Sequence, residues 1–344
     1  ARASYRPSSS SLAQSSRAPC AMDPPEAMLK QMSQASRPLI TFALMAYNQE
    51  QLIEEAVAGA LAQTYSPLEI ILSDDCSTDR TFSIMSTMVE GYAGPHRVRL
   101  NRNPNNLGLI GHINALFDMA KGEIFVLAAG DDISLPERTA RVAEVFERKQ
   151  TVMMVHSDVI KLNRAGQELG VWRPPIAGKP DDLHAMAAGF GIHIGATGAY
   201  RMQVHRRFGA IREDEAYEDL VLGFRARLLG KVAYIESPLV RYRFDTGLSS
   251  KQKPLERHVR TRNRIRSLRL MRAVHRQRLA DYRAVGGADS GVVSAIEAGI
   301  RDAEDRLSFH EGGFWRRLQV GGYLPDLIAT AADEARRAWL GDLK

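Results

Sequence analysis

The chain holds 344 residues, 44% of them hydrophobic and 25% charged, a globular composition that excludes fibrous and disordered classes. Its 46 Lys and Arg against 40 Asp and Glu leave a formal charge of +6, an excess whose meaning depends on where it is concentrated. Two cysteines, Cys20 and Cys76, exclude a disulfide framework or a CxxC metal site, and no apolar run approaches the roughly 20 residues of a membrane span.

The expectation is therefore a cytoplasmic protein with one large domain plus an appendage, or two domains. Residues 1–36 are Ser-rich, with Arg2, Arg6 and Arg17, no acid before Asp23 and no signal-peptide core. They read as a segment outside the fold, a tag or an over-extended reading frame; a transit peptide is the alternative, without an amphipathic stripe to support it. From Leu39 onward short apolar runs alternate with helix-period segments. Residues 39–46 read as a strand, and 51–63 as a helix with a stripe of Leu52, Ile53, Ala56, Val57, Ala60 and Leu61. Residues 68–73 give a second strand, 80–90 a second helix, 98–101 a third strand, 109–120 a third helix and 124–128 a fourth strand. Pro136 stands near the start of a helix reaching about Lys149. Such alternation predicts crossover connections and a parallel sheet covered by helices on both faces, with ligands at the carboxyl ends of the strands.

Polar clusters stand at three of those ends: Ala46-Tyr47-Asn48, then Asp74-Asp75-Cys76-Ser77-Thr78-Asp79, then Gly130-Asp131-Asp132. Each has a plainer reading, since Thr78 or Asp79 can cap the helix that follows and Asp131-Asp132 can form a turn. Asp79 fits the cap best. Together they describe a site, because two acidic pairs facing one cleft repel unless a cation lies between them. A hard divalent ion such as Mg²⁺ or Mn²⁺, shared with substrate phosphates, suits such oxygen ligands.

The segments AYN, DDCSTDRT, NNLGLIGHINALFDMAKGEIFVLAAGDD and a later YED, in this order across residues 38–250, resemble the family 2 glycosyltransferases of GT-A fold. The resemblance implies a Rossmann-like, mostly parallel α/β sheet with helices on both faces, here with a C-terminal helical appendage. It also implies transfer of a sugar from a nucleotide diphosphate donor, a UDP- or dTDP-sugar, to a hydroxyl, usually with inversion. By that resemblance Tyr47, between Ala46 and Asn48, lies against the base, and Asp75, with Asp74 behind it, hydrogen-bonds the base. Asp131 contacts the nucleoside or sugar, Asp132 binds Mn²⁺ or Mg²⁺, and Asp219 is the catalytic base. Tyr242-Arg243 resembles a segment that often continues with a His approaching the metal. This chain has Asp245 near that place, so the third protein contact to the metal stays open.

The chemistry asks for the same parts. Sugar transfer must stabilise the departing diphosphate, deprotonate the acceptor and exclude water, tasks suited to a metal and one general base. Leu220, Val221, Phe224, Leu228 and Leu229 form a stripe that sets Glu218 and Asp219 in the first turn of a helix, where the alternative is that both merely complement the helix dipole. Asn105-Asn106-Leu107-Gly108 can direct amides toward the donor or simply form a turn. The small-residue segment 189–200 suits a loop lining an acceptor groove, with His193 and Thr197 as acceptor contacts. Trp172, in the Gly- and Pro-rich stretch 166–180, reads as core or as a sugar-stacking face.

Beyond residue 250 the composition changes. Between Lys251 and Arg283 stand twelve Lys and Arg against Glu256 and Asp281, interspersed at helical spacing by Val259, Ile265, Leu268, Met271, Val274 and Leu279. This basic amphipathic helix presents a solvated face, an anionic membrane contact suited to a lipid-linked acceptor, or a protein contact; no motif supports nucleic-acid binding. Further helices are expected over 290–309 and 324–340. The domains read as residues 1–36, 37–250 and 251–344. The function expected is metal-dependent, inverting sugar transfer to a glycan or lipid-linked acceptor. A non-catalytic nucleotide-sugar or polysaccharide-assembly binding protein is the alternative.

Overall fold

The structure, a computed structural model, describes residues 37–173, 182–189, 191, 193–244 and 257–311. The first half alternates strand and helix as the periodicity predicts: β1 (Ile40–Ala46), α1 (Ile53–Leu61), β2 (Leu68–Asp74), α2 (Thr81–Glu90), β3 (Arg97–Arg102), α3 (Gly108–Met119) and β4 (Ile124–Ala129). There follow β5 (Ile133–Ser134), α4 (Arg138–Arg148), β6 (Val152–Leu162), β7 (Glu168–Trp172), α5 (Leu183–Ala187) and a 3-10 turn at Gly195–Thr197. The remainder is β8 (Ala199–Arg201), α6 (Met202–Phe208), α7 (Glu218–Leu229), β9 (Lys231–Arg243), α8 (Arg257–Ala284) and α9 (Ser290–Glu311). The helix expected over 324–340 lies outside the described residues.

The strands form one sheet in the order β3-β2-β1-β4-β8-β6-β9-β5, with β7 added to β6. The half formed by β3, β2, β1 and β4 is parallel, as strands joined by crossover helices require. From β4 the sheet turns mixed: β8 is antiparallel to both β4 and β6, while β6 and β9 are parallel over their lengths. Successive side chains of a strand face opposite sides, and the core divides accordingly. Ile40, Phe42 and Leu44 of β1 and Ile124 and Val126 of β4 pack on one face with Val57 of α1 and Phe146 of α4. Ala43, Phe125 and Leu127 pack on the other with Ile113 and Phe117 of α3 and Phe224 of α7.

Fully burying each large apolar side chain contributes about 1.5–3 kcal/mol. That same second face takes in Ala273, Val274 and Tyr282 of α8 and Val292 and Ile296 of α9. The C-terminal helices expected as an appendage are present, and they share a core with the sheet.

Candidate active site

The carboxyl ends of the parallel strands are tied to one another by backbone hydrogen bonds. The Asp75 amide donates to Ala46 O at 2.9 Å, the Gly130 amide to Met45 O at 2.8 Å and the Asn103 amide to Asp74 O at 2.8 Å. Register does this: Ala46 pairs with Asp74 and Met45 with Ala129, so the three polar clusters leave the sheet at one level. Side chains continue the stitching, with Asn48 N donating to Ser77 Oγ and Thr78 N to Asn48 Oδ1, each at 2.9 Å. Asn48 and Cys76 hold positive φ angles of 51° and 61°, left-handed backbone that non-glycine residues adopt at a cost and that concentrates at functional sites. Tyr47 is left 46% exposed beside them, an aromatic face open to a planar ligand.

Asp74 and Asp75 are both buried, but their carboxylates are engaged differently. Asp75 Oδ1 accepts from Asn103 Nδ2 at 2.8 Å and Leu107 N at 2.9 Å, and Oδ2 from Gly108 N at 3.0 Å. The amides of the 105–108 segment thus turn toward Asp75, and Asn106 Oδ1 joins it in accepting the Gly108 amide. Gly108 makes this turn at φ 69°. Asp74 Oδ2 accepts Ser77 N and pairs with Arg102, while its Oδ1 is buried without a hydrogen-bond partner. Asp79 accepts the amides of Thr81 and Glu50, the capping role expected of it.

Asp131 and Asp132 are buried side by side at the end of β4. Burial, then the neighbouring Asp131 carboxylate, pushes the Asp132 carboxyl well above the ordinary range, against the opposing pull of Arg243 and Arg138. The Arg243 amide donates to Asp132 Oδ1 at 2.9 Å, and its guanidinium reaches Asp131 O and Glu55. Arg138 is fully buried, donating to Ser134 Oγ and Leu127 O; burial brings its guanidinium down to about 10, still a cation at neutral pH. The pair fits a divalent cation: like charges forced together in a buried place, all oxygen, are relieved by a positive ion that takes its other ligands from phosphate oxygens. Among the described residues no group of three or more His, Cys, Asp or Glu forms a self-sufficient metal site. Asp245 lies outside the described residues.

Glu218 and Asp219 open α7, as the stripe predicts. They abut the 3-10 turn closely: a Cβ on Gly195 would fall 2.2 Å from Glu218 Oε1, so a side chain there would displace that carboxylate. That turn is fixed to β4 by the Leu127 amide, which donates to Gly198 O at 3.1 Å. Burial and the adjacent Asp219 raise Glu218 to about 8, whereas Asp219, raised by burial but held by the Leu220 amide and Arg278, sits at about 6. Tyr200 of β8 is fully buried and bound to His193 Nε2 at 2.8 Å. Burial, then the charges of Glu218 and Asp219, keeps its phenol well above 10.

His193 and Thr197, expected to touch an acceptor, are buried with internal partners, His193 on Tyr200 and Thr197 Oγ1 on Ile194 O. Trp172 stands half-buried on β7 with Lys161 Nζ 4.8 Å from a ring centre. Sequence reasoning missed Arg138, Tyr200, Asn103 and His112, whose Nε2 lies 2.7 Å from Ser73 Oγ behind the Asp74-Asp75 pair. Arg138 stands in an amphipathic helix, Tyr200 and His112 each stand singly beside small or apolar residues, and Asn103 is one of several polar residues in the run 101–106, so no pattern marked them.

The profile of the family described as Glycosyl transferase family 2 matches residues 41–209. The chain carries a domain of that family. An uncharacterized glycosyltransferase of Haemophilus influenzae is 29% identical over 216 residues, 60% of this chain and 65% of its own length. The chain thus spans somewhat less than two thirds of that relative. TarS from S. aureus, crystallised in complex with UDP-GlcNAc, superposes with a TM-score of 0.54 at 16% identity over 84% of this chain and 80% of its own. The mannosyltransferase PcManGT from Pyrobaculum calidifontis, in complex with GDP-Man and Mn²⁺, gives 0.51 at 19% identity over 89% and 84%. These likenesses establish the GT-A fold, and the profile match ends before α7, leaving Glu218 and Asp219 beyond the matched residues.

Proposed function

We propose that this family 2 protein transfers a sugar from a nucleoside diphosphate donor to a hydroxyl of a glycan or lipid-linked acceptor, with inversion at the anomeric carbon. The observation that carries the reading is the acid pair: two adjacent carboxyls in the first turn of α7, against the segment tied to β4, with Asp219 Oδ1 held by the Leu220 amide at 2.7 Å and both acids raised by burial. A base poised just below neutral pH is ionised yet basic enough to take a proton, the match general base catalysis favours. In the transfer, the acceptor oxygen bonds to the anomeric carbon as its proton passes to an Asp219 carboxylate oxygen. The bond from that carbon to the diphosphate oxygen breaks, its electron pair leaving with the diphosphate.

Tyr47, exposed beside the stitched strand ends, offers its ring to the base, and Asp75 with Asn103 supplies polar partners around it. A divalent cation held by Asp131 and Asp132 would neutralise charge developing on the departing diphosphate. The Arg243 amide holds Asp132 Oδ1, and the Arg243 guanidinium holds the Asp131 carbonyl, at the end of β4. The UDP-GlcNAc bound by TarS and the GDP-Man bound by PcManGT support the donor class.

Asp219→Asn tests the reading. It keeps the shape of the side chain but cannot accept the proton, so transfer should fall by about 10²-fold or more while the nucleotide Kd stays within a few-fold of the parent. Near-normal transfer would move the base elsewhere, with Glu218 next in line.

A further inference from the structure

The first turn of α7 is held from below by a residue far along the chain. Arg278, on α8, is fully buried. Its Nε and Nη2 donate to Leu220 O at 3.1 and 2.7 Å, and its Nη1 donates to Met186 O of α5. All these acceptors are carbonyls, and among the described residues no carboxylate forms an ion pair with it. Its neighbour Arg225 is built otherwise, since Asp281 grips that guanidinium with both oxygens at 2.7 and 3.1 Å. A buried cation paired only with carbonyl dipoles keeps an uncompensated field, costly unless a charge nearby uses it.

The residue preceding Leu220 is Asp219. The groups facing that carboxyl are Glu218 and Tyr217 on its own segment, Tyr200 from β8 and Arg278 from α8. Of these Arg278 is the cation, and Glu218, one residue further from Leu220, receives no comparable help. Although burial brings Arg278 down to about 10, it stays charged through the neutral range.

We propose that Arg278 is a positioning residue that selects Asp219, rather than Glu218, as the ionised member of the acid pair, so that α8 completes the catalytic end of α7. The inference rests on the reading of Asp219 as the base. It places a determinant of the reaction outside residues 41–209, on a helix that composition alone marks as a basic surface element.

The test compares Arg278→Gln, which keeps a donor for Leu220 O without the charge, with Arg278→Lys, which keeps the charge. Each is followed by kcat against pH, nucleotide Kd and thermal melting. A base acts when deprotonated, so kcat in the parent should fall along an acid limb as the Asp219 carboxyl, raised by burial, takes up its proton. Loss of the cation raises the carboxyl, so the limb in Arg278→Gln should move to higher pH by about one unit, with the rate recovering above it. Nucleotide affinity should be unchanged, and Arg278→Lys should return the limb to its parental place. An unmoved limb with a uniform loss at every pH would overturn the proposal and leave Arg278 a merely structural residue. The parent protein gives a reading independent of how the variants fold: by carboxyl ¹³C titration Asp219 should ionise below Glu218, and the reverse order overturns the proposal. Asp219→Asn separates the two ideas. Full transfer there defeats the base assignment itself, whereas an inactive Asp219→Asn beside an unmoved Arg278→Gln limb defeats only the role of Arg278.

Discussion

Asp132 concentrates the electrostatic conflict of the donor side. It is 5% exposed, stands next to a second buried carboxylate, and is raised well above the ordinary range by burial and by that neighbour. If a cation relieves the conflict, a nucleoside diphosphate should raise the melting temperature far more with Mn²⁺ than with excess chelator. Mass action makes a ligand at 100 times its Kd worth about 2.7 kcal/mol. Asp132→Asn should abolish this synergy in a thermal-shift titration, and equal stabilisation under chelator would remove the metal from the reading. These acids were legible in the sequence because they come as pairs directly after apolar runs. Arg138 and Tyr200 were not. A lone Arg in an amphipathic helix reads as solvated, and a Tyr in a three-residue strand reads as core, yet here the first is fully buried against the Leu127 carbonyl and the Ser134 hydroxyl and the second lies between a His and two acids.

Among the elements, the contact of α7 with α8 is polar at its centre. Arg225 and Asp281 are nearly inaccessible and form a two-bond pair, Gln277 donates to Asp281 Oδ1, and Gln277 Oε1 accepts the amides of Arg212 and Glu213. Removing one member strands a buried charge, so Asp281→Asn should lower stability by about 3–5 kcal/mol in urea unfolding. Asp305→Asn, on an exposed position of α9, should stay within about 0.5 kcal/mol of the parent. A matching small loss at Asp281 would show that the pair is not needed to seat α8. The strands β1, β2 and β4 were legible as the short apolar runs that doubly buried strands produce, whereas β3, RVRLNR, is only partly buried and shows as Val98 and Leu100 among polar residues. β9 escaped because its 13 residues mix Lys231, Glu236, Pro238 and Arg241 with apolar positions, its burial alternating irregularly through register shifts against β6. The stripe read on α8 is correct at Leu268 and Val274, but the same buried side carries His275, Gln277, Arg278 and Asp281. Hydropathy cannot separate a polar residue satisfied inside from one facing water.

Over the whole molecule, the positive excess is smaller at the surface than composition suggests. Arg269, Arg276 and Arg283, seven residues apart on α8, pair with Glu311, Glu304 and Glu297, seven apart on the antiparallel α9. Arg262, Arg264 and Arg266, nearer the start of α8, have no carboxylate partner among the described residues. No helix among the described residues is long and apolar enough to cross a membrane; a contact of α8 with an anionic surface would involve these three cations. Each cation near an anionic surface is worth about 1 kcal/mol. Neutralising Arg262, Arg264 and Arg266 together should therefore weaken sedimentation with phosphatidylserine vesicles far more than neutralising Arg269, Arg276 and Arg283. Absence of vesicle binding at low salt would return α8 to a plain solvated face.

The sheet order bears on how the chain is made. β4 gains its neighbour β1 early, but its other edge is closed only by Ala199–Arg201, through three residue pairs reached some 70 residues later. While a ribosome is still delivering that stretch, the IFVLAA edge has unsatisfied backbone groups and apolar side chains on both faces. The nascent chain thus passes through an interval in which one edge of its central strand has no partner, an interval whose length is set by the late arrival of β8.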